Sequence, residues 1–139
     1  MIVLDTNVLS EEIRPSPSPR VLRWFKEQEP VNIFTTAITQ AEMFYGLESL
    51  PAGRRRSALQ QAIEKMFGEE FLGRILPFDE DAARAFALIV AARDALGRPI
   101  SQFDAMIAAI ARSRRAALAT RNVADFQGCG VRIVDPWAA

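Results

Sequence analysis

Apolar and polar positions follow two rhythms along this chain of 139 residues. Short apolar runs bounded by polar turn formers mark strands, and longer stretches with apolar residues every three or four positions mark helices. Ile2, Val3 and Leu4 form the first run, which stops on Asp5. A run of branched apolar residues this short predicts a strand covered on both faces. Val8 to Ile13 predicts a short helix, broken by "RPSPSP" from Arg14 to Pro19, which cannot continue one. Val21, Leu22, Trp24 and Phe25 mark a second helix ending near Glu29-Pro30, and Val31 to Thr35 a second strand. Ile38 to Leu50 is helical, and Gly53 separates it from a helix over Arg54 to Phe67. Arg74 to Phe78 predicts a third strand, followed by helices over Glu80 to Ala95 and Gln102 to Arg112. Ala117 to Thr120 and Val131 to Val134 predict the fourth and fifth strands.

Strands alternating with helices predict an α/β fold: a single domain, residues 1–139, with a mainly parallel central sheet of about five strands flanked by helices. The length suits one domain with a real core, and 50% hydrophobic residues is an ordinary globular composition. Lysine plus arginine equals aspartate plus glutamate at 17 each, so binding of RNA would need a local basic patch. One cysteine, Cys129, excludes an internal disulfide and fits a reducing compartment. No stretch reads as a signal peptide or a membrane span, so the expected location is cytoplasmic. The chain has no histidine, which removes histidine-based triads, imidazole acid–base pairs and His-ligated zinc. Metal chemistry is then left to oxygen ligands, pointing to Mg²⁺ or Mn²⁺.

Ligands of parallel sheets gather outside the carboxyl ends of the strands. Asp5 follows the first strand, Glu42 lies early in the helix after the second, Asp104 opens the helix leading to the fourth, and Asn122 and Asp125 follow the fourth. Each has a plain structural alternative. Asp5 or Thr6 can cap a helix. "TQAE" (Thr39 to Glu42) and "SQFD" (Ser101 to Asp104) both have capping-box spacing. Asp125 reads equally as a solvated surface acid. Against capping alone, Glu42 shares a helical stripe with Ile38 and Tyr45, and Asp104 shares one with Ile100, Ile107, Ala108 and Ala111. An acid on an apolar stripe is costly unless a partner or a cation satisfies it. Asp79, Glu80 and Asp81 instead read as companions of a helix dipole, and Asp135, before Pro136, as a turn residue.

These segments resemble the motifs of PIN-domain ribonucleases of the VapC type, the toxin half of a toxin–antitoxin pair, over essentially the whole chain. "IVLDTNVLSE" resembles the first motif, "TAITQAEMFYGL" the second, "ISQFDAMIAAIA" the third and "LATRNVADF" the fourth. The resemblance implies Asp5, Glu42, Asp104 and Asn122 as catalytic positions. Asp5, Glu42 and Asp104 are the implied metal ligands, with Asp125 standing in where relatives often have an aspartate at the position of Asn122. Thr6, Asn7, Thr120 and Arg121 are candidate contacts to substrate phosphate. The implied activity is Mg²⁺- or Mn²⁺-dependent hydrolysis of RNA, often transfer RNA, by an activated water, leaving a 5′-phosphate and a 3′-hydroxyl. Implied partners are a small antitoxin whose tail blocks the acidic site, the RNA substrate and a second copy of the chain. Leu59, Ala62, Ile63, Met66 and Phe67 form an apolar stripe that fits either such a partner or the core. Arg54 to Arg56 form one basic group and Arg112, Arg114, Arg115 and Arg121 another. Two other classes compete: an aspartate-phosphorylated α/β protein, which would want an Asp-x-Asp pattern or a lysine by the fourth strand, and a catalytically inactive PIN-like module that binds RNA or protein.

Overall fold

The computed structural model describes residues 1–139. Five strands, β1 (Ile2–Leu4), β2 (Ile33–Thr36), β3 (Ile75–Leu76), β4 (Ala117–Ala119) and β5 (Ile133–Val134), form one sheet in the order β3-β2-β1-β4-β5. Every pairing is parallel, with Ile2 opposite both Ile33 and Ala117. Six helices connect and cover the strands: α1 (Thr6–Glu12), α2 (Pro19–Glu27), α3 (Ala37–Glu48), α4 (Arg54–Lys65), α5 (Glu80–Ala95) and α6 (Gln102–Ser113).

Successive strand residues point to opposite faces, and here both faces are buried. Val3 and Leu118 pack with Ile89 of α5 and Ile107 and Ile110 of α6. Leu4 and Ala119 pack on the other face with Leu9, Trp24, Met43 and Ile63 from α1 to α4. This two-sided burial explains why β1 and β4 carry no polar residue. From β1 the chain winds outward through β2 to β3, then returns to β4 beside β1, so the winding reverses between β1 and β4. In such sheets the crevice that takes ligands lies outside the carboxyl ends of the strands at the reversal, here β1 and β4.

The local differences from the sequence reading have identifiable causes. The first helix begins at Thr6 because Asp5 is its N-cap. Ser18 caps α2, so Pro19 opens a helix at its first position, where a missing N–H is no loss. Pro30 starts a 3₁₀ turn over Pro30–Asn32, leaving Val31 exposed and β2 to begin at Ile33. The helix over Arg54 to Phe67 gives way to one π-helical turn at Met66–Glu70. Thr36, not Thr39, caps α3 by accepting the Thr39 N–H at 3.1 Å, so Glu42 stands in the second turn and the capping box proposed for it does not form. The box at Ser101 does hold its first half, with the Ser101 hydroxyl accepting the Asp104 N–H at 3.2 Å.

Candidate acidic site at the reversal of the sheet

Asp5 ends β1 inside the crevice and is buried, with 4% of its surface exposed. The capping reading holds, since Asp5 is the N-cap of α1, and Asp104 and Glu42 lie near enough to act on its carboxyl. Its Oδ1 accepts the Thr6 N–H at 2.8 Å, and its Oδ2 accepts the Thr120 hydroxyl, also at 2.8 Å. Thr120 follows β4, so this second bond closes the crevice across the neighbouring strand ends. The same Thr120 oxygen accepts the Asn122 N–H at 3.0 Å and the Asn7 side-chain amide at 3.3 Å. Asn7 in turn accepts the Arg121 N–H at 3.3 Å. The motif after β1 and the motif after β4 are thereby stitched into one unit.

A second chain of hydroxyls comes from the other side. Thr6 donates to Glu42 Oε1 at 2.8 Å and lies 3.1 Å from the Thr39 hydroxyl, which neighbours the Thr36 hydroxyl at 3.4 Å. Thr36 and Thr39 are fully buried. A buried hydroxyl with no partner is costly, so this short chain exists because each member satisfies the next, and its outer end fixes Glu42. The polar atoms of Thr6 and Thr120 are thus already engaged in holding the acids, and those of Asn7 in binding Thr120 and the Arg121 N–H. Arg121 is exposed, its guanidinium 5.0 Å above the Trp137 ring.

Burial pushes the Asp5 carboxyl from its ordinary 3.8 up to about 6, against the pull of the Thr120 and Thr6 hydrogen bonds, and the nearby Asp104 and Glu42 carboxylates add to the rise. Asp104, half-buried at the start of α6, is raised chiefly by burial and further by Asp125; Ser101 and Arg93 pull it down. Asp5 therefore feels Asp104 and Glu42, and Asp104 feels Asp125, so acids from four segments lie near one another at this end of the sheet. They stand apart enough that no three of them form a ready-made cage for an ion. Asn122 and Asp125 are exposed at the rim, Asp125 in a 3₁₀ turn over Val123–Phe126.

Arg93 is a member that sequence reasoning passes over. Near the end of α5 it is buried at 5% exposure, and its guanidinium donates to the carbonyls of Arg98 at 2.7 Å, Asp125 at 2.6 Å and Gln127 at 3.0 Å. It anchors the loop that carries Asn122 and Asp125. An arginine in the last turn of a helix normally reads as a solvated partner of the dipole, and no local signal distinguishes this one.

Beside Glu42 a cavity of about 580 Å³ opens between α1, α3 and α4, walled by Thr6, Ile13, Met43, Leu59, Ala62 and Ile63, with Arg55 at its edge. The apolar stripe divides: Leu59, Ala62 and Ile63 of α4 line this groove, Ile63 also reaching the core, while Met66 and Phe67 in the π-helical turn lie in the core alone.

A doubly wound parallel sheet with buried and half-buried acids near its reversal defines the class of protein. The PIN domain family model matches residues 2–127, and the chain belongs to that family. It is 40% identical to VapC ribonuclease Y4jK of Sinorhizobium fredii over 99% of this chain and 98% of that one. Toxin FitB of Neisseria gonorrhoeae is 37% identical over 99% of both, and the crystal structure of FitAcB from the same organism superposes with a TM-score of 0.93, at 37% identity, over 100% of both chains. The tRNA(fMet)-specific endonuclease VapC of Shigella flexneri is 32% identical over 98% of this chain and 97% of that one.

Proposed function

We propose that this chain is a metal-dependent endoribonuclease, the toxin of a toxin–antitoxin pair, acting on transfer RNA or another structured RNA. The observation that carries the reading is Asp5: a buried carboxylate at a strand end, raised to about 6, with Glu42 and Asp104 close enough to raise it further. An uncompensated cluster of this kind is costly to keep, and a cation relieves it. The donor set fits Mg²⁺ or Mn²⁺, because with no histidine and with Cys129 buried in the core the site offers oxygen alone. Loose spacing of the acids also suits a small ion that retains waters and takes one or two carboxylates directly. Asp5 would hold it, with Asp104, Glu42 and Asp125 around it. When bound, such an ion supplies an acidified water and neutralises charge on the phosphate under in-line attack.

The residues of the chain supply geometry. Thr120 and the Thr6 N–H hold the two oxygens of Asp5, and the Thr6 hydroxyl holds Glu42. Thr120 sets Asn122 at the rim, where its amide adds polarity without charge. Arg121, stacked on Trp137, would meet a substrate phosphate. Absence of histidine agrees with water attack over imidazole-assisted attack by the 2′-hydroxyl, so the products are a 5′-phosphate and a 3′-hydroxyl. The apolar groove beside Glu42 suits an amphipathic antitoxin segment, with an arginine of that segment reaching the carboxylates as a bidentate inhibitor. The S. flexneri relative's name supports transfer RNA as the substrate class.

One observation favours a second reading. The neutral Asn122, at the position where the resemblance leads one to expect an aspartate, suits a catalytically inactive module that binds RNA or protein. One experiment separates the two: purified protein free of antitoxin is incubated with total transfer RNA and Mg²⁺ or Mn²⁺. Discrete fragments that vanish with chelator and in Asp5→Asn support the nuclease. No cleavage with either metal, from protein shown to be folded, supports the inactive module.

A further inference from the structure

The opposite end of the sheet holds a second cavity, of about 370 Å³, that the acidic site does not use. It lies where β1, β4 and β5 begin: the Met1 carbonyl accepts the Ala117 N–H at 3.1 Å, and the Arg132 carbonyl accepts the Leu118 N–H at 2.8 Å. Arg112, Arg115 and Arg132 converge on it, and no acidic residue lines it. None of the three is ion-paired, whereas their neighbour Arg114 is tied to Asp79 at 3.6 Å. In a chain of zero net charge this is a local concentration of unneutralised cations.

Two backbone features hold the arginines there. Helix α6 ends in a Schellman motif, with the Ala116 N–H bonded to the Ala111 carbonyl at 2.9 Å and the Arg115 N–H to the Arg112 carbonyl at 3.0 Å. The left-handed position of that motif normally belongs to glycine, yet Arg115 occupies it at φ 54, the one non-glycine residue of the chain with positive φ. An outlier that works against local stability points to a use for the side chain. Arg112 is seated over Gly130, where an added Cβ would approach its guanidinium to 3.2 Å, and its Nη1 donates to the Cys129 carbonyl at 3.5 Å. Arg115 and Arg132 remain exposed.

We propose that this pocket binds the phosphodiester backbone of the RNA substrate at a point a few nucleotides from the scissile bond. The inference rests on the ribonuclease reading above. Met1 and Asp5 are four steps apart along extended chain, about 13 Å at roughly 3.3 Å each. The intervening edge, β5, is two residues long, so a strand of RNA passing over it reaches both ends of the sheet. Three guanidiniums around one cavity repel one another without an anion, and a polyanion that releases counterions is the ligand they favour.

The test compares wild type with Arg115→Gln/Arg132→Gln, reading transfer RNA affinity across a salt series in chelator, where nothing is cleaved. Loss of two phosphate contacts is expected to lower the slope of log K against log salt by about 1.4, from roughly 0.7 per contact on single strands. The lysine pair, Arg115→Lys/Arg132→Lys, is expected to keep the slope. Arg115→Gly relieves the backbone and is expected to raise the melting temperature while weakening RNA binding about tenfold, a pairing that a purely structural arginine would not produce. With Mg²⁺, a dinucleotide, whose single phosphodiester cannot occupy both ends at once, is expected to be cut equally by wild type and the glutamine pair, while transfer RNA shows a raised KM and unchanged kcat. An unchanged slope in the glutamine pair overturns the proposal. Failure of wild type to cut either RNA overturns the nuclease reading, and the slope in chelator still reports on the pocket.

Discussion

Replacing Asp5 by asparagine should abolish RNA cleavage and yet make the metal-free protein more stable. Folding raises the Asp5 carboxyl from 3.8 to about 6, so the folded chain keeps a proton that the unfolded chain has already released. Stability therefore falls as pH rises through that interval, and the full cost is present above about pH 6. At about 1.36 kcal/mol per pKa unit, the cost approaches 3 kcal/mol at pH 7.5. Asparagine carries no charge to desolvate, but it breaks one contact: the Thr120 hydroxyl, which already accepts from Asn7 and Asn122, loses the oxygen it donates to. That loss costs about 1 kcal/mol, leaving a net gain of about 2 kcal/mol. Urea titration in chelator at pH 7.5 should move the Asp5→Asn midpoint upward by about 1 M for a slope near 2 kcal/mol/M. Near pH 4 the gain should disappear, because the folded wild type is then protonated. A variant less stable than wild type at pH 7.5 would refute the claim that the site stores unrelieved carboxylate repulsion and burial.

Glu12 gives a pH test away from the site. Its carboxyl is pushed from 4.5 to about 7 by burial and by the neighbouring Glu70, and its Oε2 has no hydrogen-bond partner. Protonation is favoured in the folded state, so stability is lost as pH rises from 4.5 through 7. After allowance for its partial exposure, Glu12→Gln should add about 1 kcal/mol, or roughly 4 °C in Tm, at pH 8, nothing at pH 4, and leave cleavage unchanged. Thr120→Val removes the hydroxyl that lowers the Asp5 pKa; the acid limb of the pH–rate profile should move to higher pH, and stability should fall by about 2 kcal/mol. Its profile staying in place would separate Thr120 from Asp5. Arg93→Met leaves three carbonyls without their donor, and should cost about 3 kcal/mol in denaturant titration. Faster amide exchange should appear between residues 122 and 129.

The acids are legible in the sequence because each sits on a sharp local contrast. Asp5 interrupts an apolar strand, and Glu42 and Asp104 lie on apolar helical stripes. The strand-and-helix alternation is legible for the same reason, down to the bounds of the helix from Glu80 to Ala95. What joins the acids is another matter. Thr36, Thr39 and Thr6 are individually ordinary cap residues, and only the folded arrangement brings the Thr6 hydroxyl, after β1, to Glu42 on α3. Assigning the cap of α3 to Thr39 follows a valid spacing rule, but Thr36 already ends the strand in extended geometry and takes the role first. The second basic group also divides in three dimensions. Arg121 stands at the acidic end, Arg114 is paired with Asp79, and Arg112 and Arg115 face the amino end with Arg132, which lies seventeen residues beyond Arg115 and belongs to no run.

Both edges of the sheet, β3 and β5, are only two residues long. An edge so short exposes too few unpaired N–H and C=O groups to template the addition of a foreign strand. The fold is thereby guarded against edge-to-edge aggregation. It follows that β-augmentation is closed as a recognition mode for any protein that joins this chain. Complexes must instead form through side chains on the helices, where Phe44, Tyr45, Leu88 and Phe103 are the large apolar groups left in water, and through the groove between α1, α3 and α4.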